Sequence, residues 1–164
     1  MPLRLIRSLL IFSLLSTSLS AQETAPAPTV TAEQALAAYD RFRRAPEQSL
    51  QEAPTFLRYM QGGAVHTVLN NRILFWMYRD FPPDVQAVLY AAYMGGNLDS
   101  QLRTQKRGDD PAAGIAATLS AYAALKKTHP TLVLTELETL ASAQANGRLT
   151  EAVAALADTS PATP

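Results

Sequence analysis

His66 and Asn70 stand four positions apart, and Arg72 follows two residues later. On a helix the first two share a face. In that arrangement Asn70 orients the imidazole, His66 acts as a general base or ligand contact, and Arg72 grips an anion. The structural alternative is an interior histidine with satisfied hydrogen bonds and an arginine tied to Asp80, Asp84 or a helix carbonyl. No nucleophile or third partner at catalytic spacing accompanies the three residues, which favours the structural alternative.

Other chemistries find less support. The two histidines, His66 and His129, are far apart, and there is no cysteine, so neither a paired-histidine nor a thiolate metal site is expected. Asp109-Asp110 lacks the ligand spacing of an EF-hand, and helix capping explains it. No Gly-x-Ser-x-Gly elbow or Ser-x-x-Lys motif occurs, and no glycine-rich loop precedes a Lys-Ser or Lys-Thr pair. A cell-wall glycosidase needs a protonated carboxylic acid in a cleft. Glu47 and Glu52 are available, as any surface glutamate would be. The expectation is therefore no cofactor, no metal and binding rather than catalysis.

The feature that favours binding is a set of adaptable side chains concentrated just before and between two glycine pairs, Gly62-Gly63 and Gly95-Gly96. It comprises Tyr59, Met60, Phe75, Trp76, Met77, Tyr78, Phe81, Tyr90, Tyr93 and Met94. Core packing is the ordinary use of such a set. A groove for a peptide or apolar ligand is the sharper one, because amphipathic aromatics and flexible thioethers adapt to varied partners. Asn97, Gln101 and Gln105, at four-residue spacing, would form a polar stripe at its rim. The candidate binding residues are Tyr59, Trp76, Tyr78, Tyr90, Tyr93, Asn97 and Gln101, with His66, Asn70 and Arg72 as weak catalytic candidates.

These residues must be positioned by helices, because apolar residues recur at three and four and no useful alternating strand pattern occurs. Thr31 caps a first helix with Gln34 in a capping box, and Leu36, Tyr39 and Phe42 face inward with Ala35 and Ala38 beside them. Glu47–Glu52 reads as at most a single turn. Pro54 opens a short helix that stops at Gly62-Gly63. The run from Ala64 to Arg79 places Val65, Val68, Leu69, Ile73, Trp76 and Met77 on one broad face and predicts a central helix. Asp84 caps the next, which ends at Gly95-Gly96, and Asn97 caps a further piece to Lys106. Asp110 and Pro111 start another, with Ile115, Leu119, Tyr122 and Leu125 inward. One more begins near Pro130 and stops at Asn146-Gly147, and a last follows Thr150 with Val153 and Leu156. The expected architecture is all-α, a single compact bundle of seven or eight helices.

Tyr59-Met60 and Tyr93-Met94, each near a glycine pair, are 34 positions apart, a spacing typical of helix-pair repeats. A short helical-repeat (TPR-like) adaptor is therefore an alternative reading, beside a small cell-envelope hydrolase with His66 as general base.

The amino-terminal segment bears on location. Arg4 and Arg7 precede the apolar run from Leu9 to Leu15, and small residues from Ser16 to Ala21 follow, in the order of a secretory signal. Residues 1–21 are expected to be removed. Gln22–Val30 is a Pro/Ala/Thr linker, 31–158 the helical domain and 159–164 a disordered tail. About 140 residues would remain, enough for one domain with a continuous core. Without Arg4 and Arg7 the 14 basic side chains fall to 12 against 14 acidic ones, a net charge of −2. Nothing in that balance suggests nucleic acid, which requires a basic surface, so no nucleic-acid partner is expected. The predicted protein is periplasmic or secreted, free of disulfides and of any stable membrane span. Its partner would be a protein, peptide or small apolar ligand in the cell envelope.

Overall fold

Thr31 begins the first helix as its sequence demands. The Thr31 hydroxyl accepts the Gln34 N–H at 3.2 Å, and the Gln34 side chain accepts the Thr31 N–H at 2.9 Å. In the computed structural model, which describes residues 29–158, six α-helices are formed and no strand is paired among those residues. They are α1 (Ala32–Phe42), α2 (Ala53–Tyr59), α3 (Pro83–Thr104), α4 (Pro111–Thr128), α5 (Thr135–Ala145) and α6 (Leu149–Asp158). The expected signal segment, most of the linker and the expected tail lie outside the described residues. No helix among those described is long and apolar enough to cross a membrane.

The helix predicted over Ala64–Arg79 does not form. After α2 a π turn over Met60–Ala64 ends with Gly63 at φ 77°, and the chain continues as an irregular strap to a short 3-10 turn at Phe75–Tyr78. The spacing of apolar residues was helical, but local composition opposed it: Val65, Thr67, Val68 and Ile73 are β-branched, and Asn70-Asn71 favours a turn. The Asn70 side chain accepts the Arg72 N–H at 2.9 Å, and its carbonyl accepts the Leu74 N–H. That is the local competition by which asparagine breaks helices. Val68, Leu69 and Met77, which a helix would have turned inward, are exposed.

Gly95-Gly96 does not end a helix either. Both lie inside α3, which runs without a break for 22 residues, so Asn97 caps nothing and sits buried mid-helix. Glycine costs about 1 kcal/mol against alanine at such positions. Close approach explains its presence. A Cβ on Gly95 would collide with the Tyr39 ring, one on Gly96 would lie 2.5 Å from the Ala117 Cβ and 2.6 Å from the Ala113 carbonyl, and one on Gly114 would lie 2.7 Å from the Tyr93 ring. Small residues thus let α3 and α4 cross closely, with Tyr39 and Tyr93 laid against their backbones. These two corrections reduce the count from seven or eight to six. They also separate the two Tyr-Met segments, since one runs into a left-handed turn and the other lies within a long helix.

Two boundaries are displaced. Asp84 is not the cap of α3: Pro82 holds that position and Pro83 the first helical one. The stretch from Pro130 is not helical, and α5 starts at Thr135. The Tyr122 hydroxyl holds that stretch, accepting the Leu134 N–H at 3.0 Å and donating to Glu138 at 2.8 Å. Asp110 caps α4 as expected, accepting the Ala113 N–H at 3.0 Å, and Gly147 takes the left-handed conformation, φ 69°, after α5.

Candidate functional site

The strap runs antiparallel along one face of α3. At its start the Gln101 carboxamide accepts the His66 N–H at 3.1 Å and donates to the His66 carbonyl at 2.7 Å. At its end Gln86 donates to the Arg79 carbonyl at 2.7 Å. Between these anchors Trp76 is fully buried against Tyr93, ring centroids 6.3 Å apart at 62°. The strap is therefore fixed to α3 at both ends by side chain–backbone bonds and in the middle by a large aromatic.

Between the strap, α2 and α3 lies a groove of about 260 Å³. Leu57 and Met60 form one wall, Tyr90 and Met94 the floor, and Val65, Thr67 and Leu69 the other wall. Gln61 stands at its edge. Val65, Thr67 and Leu69 are alternate residues, so this wall has the two-residue periodicity of an extended strand, and Val65 itself has φ −124° and ψ 135°. Leu69 is 55% exposed and its neighbour Val68 50% exposed. The Thr67 hydroxyl is sealed from solvent without a hydrogen-bond partner.

The predicted binding residues divide. Tyr90 lines the groove, Tyr59 is half-buried on α2 beside it, and Tyr78 is 67% exposed at the far end of the strap. Trp76 and Tyr93 do not belong to a groove. Both are core, because the strap folds over α3 and encloses them. Asn97 and Gln101 are not a rim but a buried polar cluster. The Gln101 carboxamide also donates to Asn97 Oδ1, the Asn97 amide donates to Asp109, and Asn97 Oδ1 accepts the Asp110 N–H at 3.3 Å. This cluster joins the strap to the loop before α4. Gln105, expected on the same stripe, caps α3 with φ 55°. The groove residues that the pattern did not single out are Leu57, Gln61, Val65, Thr67 and Leu69. For Val65, Thr67 and Leu69 the signal was the β-branched composition of the strap, which the helical spacing of its apolar residues masked; Leu57 and Gln61, before the strap, carried none.

The catalytic grouping does not assemble. In an irregular strap His66 and Asn70 share no helix face. The His66 ring is exposed with no hydrogen bond among the described residues, and Asn70 serves the backbone turn. Arg72 forms no ion pair among those residues. Glu47 and Glu52 have the wrong electrostatics for a general acid. Hydrogen bonds from Thr128 and His129 hold the Glu47 carboxyl below the usual range, and Arg41 does the same for Glu52. Among the described residues no three His, Asp or Glu side chains converge as a metal site.

A second hollow, about 410 Å³, lies between α1, α3 and α4 over a floor of Ala92, Gly96, Ala113 and Ala117. Its charged residues are already committed, Arg43 to Asp40 at 2.8 Å and Asp99 to Arg103 at 2.6 Å. Tyr39 lines it, and burial, with Asp99 next, pushes its hydroxyl up to about 12. Burial also raises the Tyr93 hydroxyl, which lies near Asp109 and Asp110. No protein-family model, curated protein or solved structure matches the chain.

Proposed function

We propose that this protein is an exported binding module whose recognition surface is the strap over residues 65–79 with the groove behind it. The observation that carries the reading is the groove of Leu57, Met60, Val65, Leu69, Tyr90 and Met94 opening beside the exposed side chains of Val68 and Leu69. Two methionines and a tyrosine give such a surface adaptable packing at modest entropic cost. Adjacent apolar side chains standing in water at the mouth of an apolar groove mark an interaction site more often than scattered single ones. The order of charge, apolar run and small residues over 1–21 supports export to the periplasm or beyond.

Titration with the apolar fluorophore Nile red tests the binding surface. A saturable enhancement is expected, lost in Leu69→Asp while the thermal midpoint stays within a few degrees. Equal uptake by the two proteins would overturn this placement of the surface. Amino-terminal sequencing of the protein recovered from cells tests export, which predicts a start near Gln22.

A further inference from the structure

The hollow between α1, α3 and α4 shares no lining residue with the strap groove. Its floor is closed, because a Cβ on Gly96 would already meet Ala117 and the Ala113 carbonyl. On its α4 side stand Ala116, Ala117, Ser120 and Ala121, so no side chain there is larger than serine. The volume of about 410 Å³ is at the lower end of the range for small-molecule sites.

Small residues alone would leave only a gap, but Tyr39 adds an unmet hydrogen bond. Its side chain is 4% exposed, and its hydroxyl has no hydrogen-bond partner among the described residues. Buried hydroxyls nearly always have one. The unpartnered side-chain atoms sealed from solvent among those residues are Thr67 Oγ1, Trp76 Nε1 and Tyr93 Oη. Tyr39 Oη is not one of them, so its free bonding capacity opens on the hollow that the residue lines. Asp99 and Arg43, which act on this hydroxyl electrostatically, line the same hollow. Burial raises the hydroxyl to about 12, so it remains a neutral group that can both donate and accept.

The two charged residues keep bonding capacity as well. Arg43 commits its Nε to Asp40 and Asp99 commits its Oδ1 to Arg103, whereas the Arg43 Nη groups and Asp99 Oδ2 make no hydrogen bond among the described residues. An anion would be attracted by Arg43 and repelled by Asp99, and a cation the reverse. A ligand carrying both charges complements both. A peptide holds its two termini apart, but a free amino acid presents both charges at one carbon.

We propose that this hollow binds a free α-amino acid with an aliphatic side chain, its carboxylate on Arg43 and Tyr39 Oη, its ammonium on Asp99 Oδ2 and its side chain on the floor of Ala92, Ala113 and Ala117. This site is independent of the strap surface.

Isothermal titration calorimetry of the full chain with L-leucine tests it. Saturable binding is expected. N-acetyl-leucine and leucinamide, each lacking one charge, should bind about fivefold more weakly, the upper range of an exposed ion pair. Asp99→Asn should weaken leucine to a similar degree and leave N-acetyl-leucine unchanged, while Arg43→Gln should weaken leucine and leave leucinamide unchanged. Tyr39→Phe should weaken leucine about two- to tenfold, the range of one hydrogen bond. Ala116→Leu, on the partly exposed α4 face, fills the hollow and should abolish binding with Nile red uptake at the strap intact. Absence of saturable leucine binding overturns the proposal, as does leucine binding that Ala116→Leu and Tyr39→Phe leave unaltered. Equal affinity for leucine and its two capped forms overturns the zwitterion as ligand.

Discussion

Gln101 holds His66 by both backbone groups at once, accepting its N–H and donating to its carbonyl. Across 35 positions of sequence, one carboxamide takes the place that a neighbouring strand would occupy. It positions the start of the strap so that Val65, Thr67 and Leu69 present one wall to the groove.

Replacing Gln101 should therefore loosen the strap and destabilise the fold. Gln101→Leu strands both His66 groups and removes one of the two donors to Asn97 Oδ1, at a cost of about 2–3 kcal/mol, chiefly for the His66 groups left unpaired. Chemical denaturation measures that loss, and hydrogen exchange should show faster exchange at the His66 amide. A stability equal to the parent protein would contradict the role given to this side chain.

The glycines offer a test in which local propensity and packing predict opposite signs. Alanine is the better helix former by about 1 kcal/mol, so Gly95→Ala should stabilise if propensity governed. The Tyr39 ring occupies the space the methyl group needs, and overpacking of this kind costs about 1–3 kcal/mol. A lower thermal midpoint is expected. Gly62, whose added Cβ would meet nothing within 4 Å, is the control. Gly62→Ala should be neutral or slightly stabilising.

Glu47 gives the fold an acid-sensitive tie between the loop after α1 and the end of α4. Its carboxylate accepts from Thr128 at 2.8 Å and pairs with His129 at 2.9 Å, which lowers its pKa in the folded state from the ordinary 4.5. Between the two pKa values the unfolded chain binds more protons, so stability rises with pH there. The contribution is complete above about 4.5 and is lost as pH falls through the lower folded value. Glu47→Gln should flatten that part of the stability profile, as followed by denaturant midpoints across pH.

Tyr39 sets a corresponding limit at high pH. Burial raises its hydroxyl from 10.0 to about 12, so the unfolded chain ionises first and stability falls as pH rises between those values. Two pKa units correspond to about 3 kcal/mol as an upper bound. Tyr39→Phe should reduce the alkaline slope of stability by roughly one proton. An unchanged slope would place the tyrosine in solvent.

Much of the scaffold was legible because the signals were local. The Thr31–Gln34 box, the Asp110-Pro111 start and the Asn146-Gly147 stop act within a turn, and each occurs as its residue types dictate. The strap was misread because Val65, Val68, Leu69, Ile73, Trp76 and Met77 satisfy helical spacing while their neighbours resist a helix. Tyr90 belongs to the groove by sequence and structure alike. Trp76 and Tyr93 carry the same chemical potential for recognition but were enclosed by a segment whose path no local pattern specifies.

Sequence alone determined the all-helical class and most helix ends, since capping, proline and periodicity are short-range effects. It also determined the acid-free, arginine-bearing character of residues 53–79. Only the tertiary structure decided that Gly95-Gly96 mark a close crossing rather than a stop, and that Asn97 and Gln101 turn inward. Only it decided which aromatics remain accessible. The physical reason is common to all three: each depends on what another helix or the strap brings within a few ångströms, and the residue's own neighbours in sequence do not carry that information.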